Sequence, residues 1–506
     1  MKKILVTNLI AISTLFAVET TESTTPVNSV TQENQAVTVT DATATKKPAK
    51  EKKKGKTTGQ LRYYYMLEDN KETFSKDGLN DYYGNAIGGY LKYETPSWAG
   101  FKAAVAAYST NFLADNVSKT STEPAANNLN SRYVIGLMNL SDADDNSVTN
   151  IGEAYISYEL SKTKATFGRM KLNTPFINPQ DGRIIPTLEQ GVWLDTKDLK
   201  DFQFQLGYIN RFWDRSTPEW KDVEDSLGYF YGQGNAPIAG TSATKSNYSN
   251  NTKSNGVFIG SALYQSKEGP LEGVKLEVWD YYVENIFNTA YVEGNYNKKF
   301  GSFKSLVGGQ YIAQQEVGDG GNGEDNGTNP TNAQKAKSYM RDGEKSQTYG
   351  AKLGFGYLDT LLTIAGTTTT DEGRFLFPRE WGREPIFTFQ KRERTDGSGN
   401  TTAWLVTLDQ DFKAVGLTGF SVKLGYGQYY KEDPKNWVLN KYGVPSYGHL
   451  DVDIFYKFQG DLQGLELEYL YAQKDAIGPT YEEANSNFVF TKNGMVVHNF
   501  IVNYKF

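Results

Sequence analysis

The residues best placed to do chemistry in this chain are Asp181 and Arg183, inside TPFINPQDGRIIPTLEQG at 174–191. Three prolines stiffen that segment without needing backbone N–H partners. A guanidinium fork holds a carboxylate through two parallel hydrogen bonds. The neighbouring aspartate either clasps that fork or shares a polar constriction with it. Arg169 closes the alternating stretch just before. A second group lies at 371–396, where Arg374, Arg379, Arg383, Arg392 and Arg394 alternate with Asp371, Glu372, Glu380, Glu384, Glu393 and Asp396. Such near balance fits a salt-bridged loop as readily as a cationic path.

Other chemistry is thin. The two histidines, His449 and His498, have no G-x-S-x-G stretch beside them, so no catalytic role is expected and the chain does not read as an enzyme. The absence of cysteine excludes disulfides and thiolate metal sites. SDADDN (141–146) and GDGGNGED (318–325) are oxygen-rich, but neither completes a Ca²⁺ loop. Ca²⁺ in an external loop is the one cofactor the sequence offers; solvated loops are the expectation.

The elements that position these residues have a period of two. In GQLRYYYML, Leu61, Tyr63, Tyr65 and Leu67 oppose Gln60, Arg62 and Tyr64. FQFQLGYINR sets Phe202, Phe204, Leu206 and Tyr208 against Gln203, Gln205, Gly207 and Arg211. TYGAKLGFGY sets Leu353 and Phe355 against Lys352. Runs of about 9–11 alternating residues have the length of a tilted membrane-spanning strand. Mean hydropathy is negative, and no apolar run reaches the ~18 residues of a spanning helix.

The connectors separate a membrane barrel from a soluble sandwich, because barrels alternate short turns with long loops. Short turns lie at 96–100, 161–163, 266–273, 297–301, 358–360, 413–417 and 459–464. Long polar stretches occupy 213–255, 313–346, 371–400, 431–447 and 475–494. This alternation predicts an all-β, 18-stranded antiparallel transmembrane barrel over 59–506, with both strand ends periplasmic. RYVIGLMNL (132–140) falls within the loop 111–149 by parity, as an extracellular strand extension.

Residues 1–17, two lysines followed by a short apolar run, read as a signal peptide. Residues 18–58 hold KKPAKEKKKGK and cannot bury a core, so a disordered periplasmic lead-in is expected. Residues 57–506 carry 44 basic against 54 acidic residues, which argues against nucleic acid as a partner. The last strand alternates Phe500, Val502, Tyr504 and Phe506 with polar residues. That terminal aromatic pattern resembles the signal read by the barrel-assembly machinery.

The stretch TFGRMKLNTPFINPQDGRIIPTLEQG (166–191) looks like the segment after the fifth strand of OprD-type outer-membrane porins. FPREWGREPIFTFQKRERTDGSGN (377–400) is similar to the equivalent loop in epsilonproteobacterial members. The resemblance implies a passive channel in a Gram-negative outer membrane for small solutes, often carboxylates such as amino acids. It also implies an inward-folded third loop, with arginines lining the path. The divergent Asn/Gly-rich stretches 233–255 and 318–333 set the chain apart from that pattern.

Strand phase gives a separate estimate of the lumen. Arg62, Lys102, Arg211, Lys275, Lys304, Lys352, Lys423 and Lys457 lie on polar faces. So do Glu153, Glu159, Glu277, Glu293, Asp451, Asp453, Glu466 and Glu468. The acids gather at 448–458 and 464–474, which predicts a transverse field that orients dipolar solutes. The expected constriction residues are Arg169, Asp181, Arg183, Arg374, Arg379, Arg383, Arg392 and Arg394, with Arg62, Arg211, Lys352 and Lys423 on the wall. Expected partners are small polar solutes, outer-membrane lipid and lipopolysaccharide, and further copies in a homotrimer. The rival reading is a barrel acting as a surface adhesin or envelope anchor.

Overall fold

The computed structural model describes residues 54–70, 81–116, 133–137, 147–179, 182–215, 217–227, 253–318, 320, 339–392, 397–434, 436, 438–441, 444–477 and 494–506. The signal peptide and nearly all of the lysine-rich lead-in fall outside these residues, as do Asp181, Arg394, 141–146 and most of 318–325.

The strands follow the alternation. In the first third they are β1 Lys56–Asn70, β2 Tyr82–Glu94, β3 Phe101–Asp115, β4 Ser147–Leu160, β5 Thr163–Met170, β6 Leu188–Thr196 and β7 Phe202–Trp213. A three-residue β8, Trp220–Asp222, precedes β9 Val257–Gln265, β10 Val274–Val283, β11 Phe287–Phe300 and β12 Phe303–Glu316. The last are β13 Lys345–Tyr357, β14 Thr360–Thr369, β15 Thr401–Asp411, β16 Phe420–Tyr430, β17 Tyr447–Lys457, β18 Leu465–Ala476 and β19 Met495–Lys505.

Each wall strand pairs antiparallel with the next, and β19 returns to β1 in a ladder from Gln60↔Lys505 to Asn70↔Met495. β8 pairs only with the end of β7, which continues onto β9. The closed wall therefore has eighteen strands, as the alternation predicts. Closure leaves no sheet edge in the hydrocarbon. At the seam Phe506 and Gly59 exchange backbone hydrogen bonds, and a Cβ on Gly59 would meet the Phe506 ring at 2.3 Å.

Apolar faces point outward. Ile156, Phe167, Leu353 and Ile364 are all more than half exposed on the outer surface, where lipid covers them. Aromatic pairs mark both rims: Phe101 with Tyr158 and Phe303 with Tyr357 near the short turns, Tyr208 with Phe258 near the long loops. Phe500, Tyr504 and Phe506 are exposed on the same outer face, as the last strand's alternation requires. The outer connection 284–286 is short, the one departure from long outer loops.

The buried core is inside the barrel, made by loops. Val134–Leu137 is a 3-10 turn, not the expected strand extension, with Val134 and Leu137 buried against β1 and β2. Its alternation meets no free strand edge there, so it packs as an apolar knob instead.

Candidate permeation path

Two loops fill the bore. The first, 171–187, leaves β5 and places Phe176 against Tyr281 and Tyr291 on β10 and β11, edge to face at 5.4 and 5.6 Å. It then carries Ile184 and Ile185 into a separate cluster with Met66, Met495, Val497 and Ile501, on β1 and β19. Its own turn is fixed by Thr174 N–H donating to the Ile177 carbonyl, and by Thr174 Oγ1 bonding the same carbonyl at 2.9 Å. The loop thus crosses the lumen, and its prolines need no backbone donor on the way.

The second loop, 370–400, runs around the inner wall. Trp381 stacks on Phe212 of β7 at 4.2 Å and donates to Ser226. Gln314 of β12 bonds Leu376, and Gln310 donates to the Pro385 carbonyl at 2.8 Å. Lys352 of β13 stands 3.9 Å over the Phe387 ring and bonds Glu293. Tyr429 of β16 reaches the Thr388 carbonyl, and Gln390 donates to Asp451 of β17 at 2.7 Å. Lys391 bridges Asp453 and Glu468, on β17 and β18. Burial works against the Lys391 charge, but Glu468 and Asp453 outweigh it and raise its pKa.

The loops clasp each other. Asn178 N–H donates to the Trp381 carbonyl at 3.0 Å, and the Asn178 side chain bonds both N–H and C=O of Arg383. A Cβ on Gly382 would sit 2.3 Å from the Phe176 carbonyl, so only glycine permits this approach.

The arginines separate into three groups. Arg62, Arg183 and Arg392 converge on the β1 side of the bore. Arg62 Nη1 donates to the Arg183 carbonyl at 2.7 Å, and its Nε bonds Asn503. Arg183 donates to its neighbour Gly182, and its Nε meets no partner among the described residues. Arg392 adopts φ +70°, donates to Tyr64 and holds Tyr133 through its own carbonyl. Burial, then the nearby Arg392, lower the Arg183 guanidinium to about 10. Among the described residues no carboxylate bonds Arg183 or Arg392. Arg383 is exposed where the loops meet, and Arg379 is half-buried, its carbonyl accepting from Arg215.

Arg374 is the first correction. It is fully buried in a two-pronged bond to Glu344 (2.8 and 2.9 Å), with Arg341 on the same carboxylate. Burial opposes the Glu344 charge, yet Arg374 and Arg341 hold it well below the usual carboxylate range. Arg374 is therefore a loop fastener rather than a lining residue.

Arg169 and Arg211 are the second. Arg169 lies opposite Ala154 and Gln190, and Gln190 lies opposite Arg211. Directly paired residues share a face, and this one carries Ile156 and Phe167, away from the lumen. Asn210 is the extra residue of a bulge between Gln190 and Gly191, so the parity counted from Phe202 flips before Arg211. Arg169 stacks on Trp220 at 4.7 Å, and Arg211 pairs with Asp222.

Near the short turns the inner wall encloses a cavity of about 450 Å³ lined by Lys304, Lys391, Lys423, Asp409, Asp453 and Glu468, among others. Lys423 pairs with Asp409 at 3.4 Å. Lys391 is the cavity-lining cation that strand phase missed: it sits in a loop, and only the matching acids at 453 and 468 hinted at a partner.

A closed eighteen-stranded wall with a bore narrowed by inward loops defines an outer-membrane porin of a Gram-negative bacterium. Residues 54–476 match the model of the outer membrane porin, OprD family, and the chain belongs to that family. Solved structures agree in fold. Pseudomonas aeruginosa OpdK with vanillate matches at 15% identity and TM-score 0.63, covering 89% of this chain and 98% of that one. Pseudomonas aeruginosa OccK9 (OpdG) matches at 14% and 0.66, with the same coverages. Acinetobacter baumannii OccAB3 matches at 15% and 0.65, covering 89% and 99%. No curated protein matches the chain.

Proposed function

We propose that this porin passes small solutes bearing a carboxylate, with Arg183 and Arg392 as the cations that receive it. One observation carries this reading: two neighbouring guanidinia at the loop constriction have no carboxylate bonded to them among the described residues. Fixed donors of this kind replace the water around a carboxylate, and single-pronged exchange between them lets it leave. Arg383, exposed at the loop junction, offers a further step. OpdK, a structural relative, was solved with vanillate, so benzoate-type acids are natural probes.

A second feature favours solutes that also carry an ammonium group. Asp453 and Glu468, with Asp409 and Asp411 nearby, line a cavity on β15, β17 and β18, two to five strands round the wall from the β1 side where the arginines converge. A dipolar solute would meet both signs of charge along this side of the bore.

Zero-current potentials in planar bilayers, and swelling of liposomes with benzoate, amino acids and neutral sugars, test the reading. Carboxylate preference in the unaltered protein that is lost in R183M/R392M supports it. Equal passage of sugars and carboxylates overturns it. No channel events at all would favour the adhesin.

A further inference from the structure

Short turns beyond an aromatic girdle face the periplasm, where polar side chains are expected. Here each of the eight short turns instead carries a large apolar residue that nothing covers among the described residues. Three of these lie on the lipid side by register, because directly paired residues share a face. The bridge between Trp98 and Phe101 places Trp98 past the Phe101–Tyr158 ring pair. Leu160 follows Tyr158 along the same face, and Phe300 is paired with Phe303. Trp98, Leu160 and Phe300 are all more than half exposed.

The other five turns repeat the pattern. Three of them contain a 3-10 turn, at Gly269–Leu271, Lys413–Val415 and Gly460–Leu462. Each ends on its apolar residue and buries no residue of its own. Leu199 and Leu358 hold the same place in the remaining two, with about half of each side chain exposed. A periplasmic protein would cover one sector of this rim. These residues run from the β2–β3 turn round to the β17–β18 turn with no short turn left out. A full ring matches a medium that surrounds the barrel, and Tyr158 and Phe303 join it directly to the lipid-facing wall.

Charge at this level points the same way. Lys162, Lys197, Lys267 and Lys413 are exposed in these turns and make no ion pair among the described residues. Most acids beside them are engaged: Asp198 accepts from Ser161 and Thr163, and Glu272 pairs with Lys298. Asp359 accepts from the Ala414 N–H, and Asp411 from the Lys413 N–H. Unpaired ammonium groups beside apolar tips suit a leaflet surface, with the stems along acyl chains and the charges among phosphates. We infer that the periplasmic rim is a phospholipid-binding ring: the turn tips enter the headgroup–acyl boundary of the inner leaflet, and the four lysines hold lipid phosphates there. The channel then opens into the headgroup layer rather than clear of it.

The absence of native cysteine makes the test direct. L199C, L271C, V415C and L462C are spin-labelled singly and placed in liposomes of phosphatidylethanolamine and phosphatidylglycerol. Folding is checked by heat-dependent gel mobility. Each label is expected to collide with oxygen more than with a water-soluble nickel chelate, as a label at L353C on the lipid-facing wall does. Two outcomes overturn the inference: nickel collisions exceeding oxygen at these tips while L353C stays lipid-like, or lipid-like tips confined to one sector. As a second measurement, K162Q/K197Q/K267Q/K413Q with unchanged gel mobility should retain less phosphatidylglycerol by native mass spectrometry. Equal retention in that variant would overturn the phosphate contact.

Discussion

Arg62, on the first strand, donates to the main-chain carbonyl of Arg183 at 2.7 Å, so a wall arginine holds the loop that carries the arginine proposed to receive the solute. Arg62 is nearly buried and bonds Asn503 through its other edge. It acts as a bracket. R62M should therefore leave the barrel folded but free the loop, giving larger fluctuations of the open current. An unchanged single-channel record in R62M would refute the bracket.

Arg183 and Arg392 should contribute separately to carboxylate recognition. A charge-assisted hydrogen bond is worth about 1.5–3 kcal/mol, so R183M or R392M should weaken half-blocking by a benzoate-type acid about 10-fold or more. Passage of neutral sugars should change little in either variant, as measured by liposome swelling.

The lowered Arg183 value has a sign that can be checked. Burial disfavours its charge, so the folded protein carries a penalty below about pH 10 that is relieved as pH rises through that value. Carboxylate preference should fall over the same interval as the filter loses its charge. R183M should lack that step, while the lysines elsewhere still titrate in both proteins. Reversal potentials between pH 8 and 11 provide the comparison.

Glu344 should matter for stability more than for permeation. It is buried and receives Arg374 and Arg341, and removing one partner of such a group costs about 3–5 kcal/mol. E344A should lower the temperature at which the barrel loses its compact gel mobility. Its depressed pKa means the contribution is complete above the ordinary carboxylate range and is lost progressively as pH falls from there to the folded value.

Gly382 tests the clasp. A methyl group there meets the Phe176 carbonyl and the Asn178 nitrogen, at 2.3 and 2.8 Å, both backbone. G382A should separate the loops and raise conductance. Gly309, whose added Cβ meets nothing within 4 Å, is the matched control and should behave as unaltered protein.

Much of the wall was legible because period-two alternation is local: β7 and β13 contain the whole of FQFQLGYINR and TYGAKLGFGY. The loop interior was not, because Lys391, Gln390 and Phe176 are placed by partners far along the chain. Arg169 was readable and misassigned: it stands two residues from Phe167, so it shares the outer face. Arg211 was hidden by the Asn210 bulge, which no alternation count registers. For Arg374, the surrounding acids signalled a salt bridge, and Glu344, from the preceding loop, supplies it.

The second loop touches the barrel from β7 round to β1, so this channel is in effect a tube within a tube. The outer cylinder answers to lipid; the inner lining answers to the solute. Changes in the lining can retune what passes without disturbing a single ladder hydrogen bond. Selectivity and insertion are thereby free to evolve at different rates.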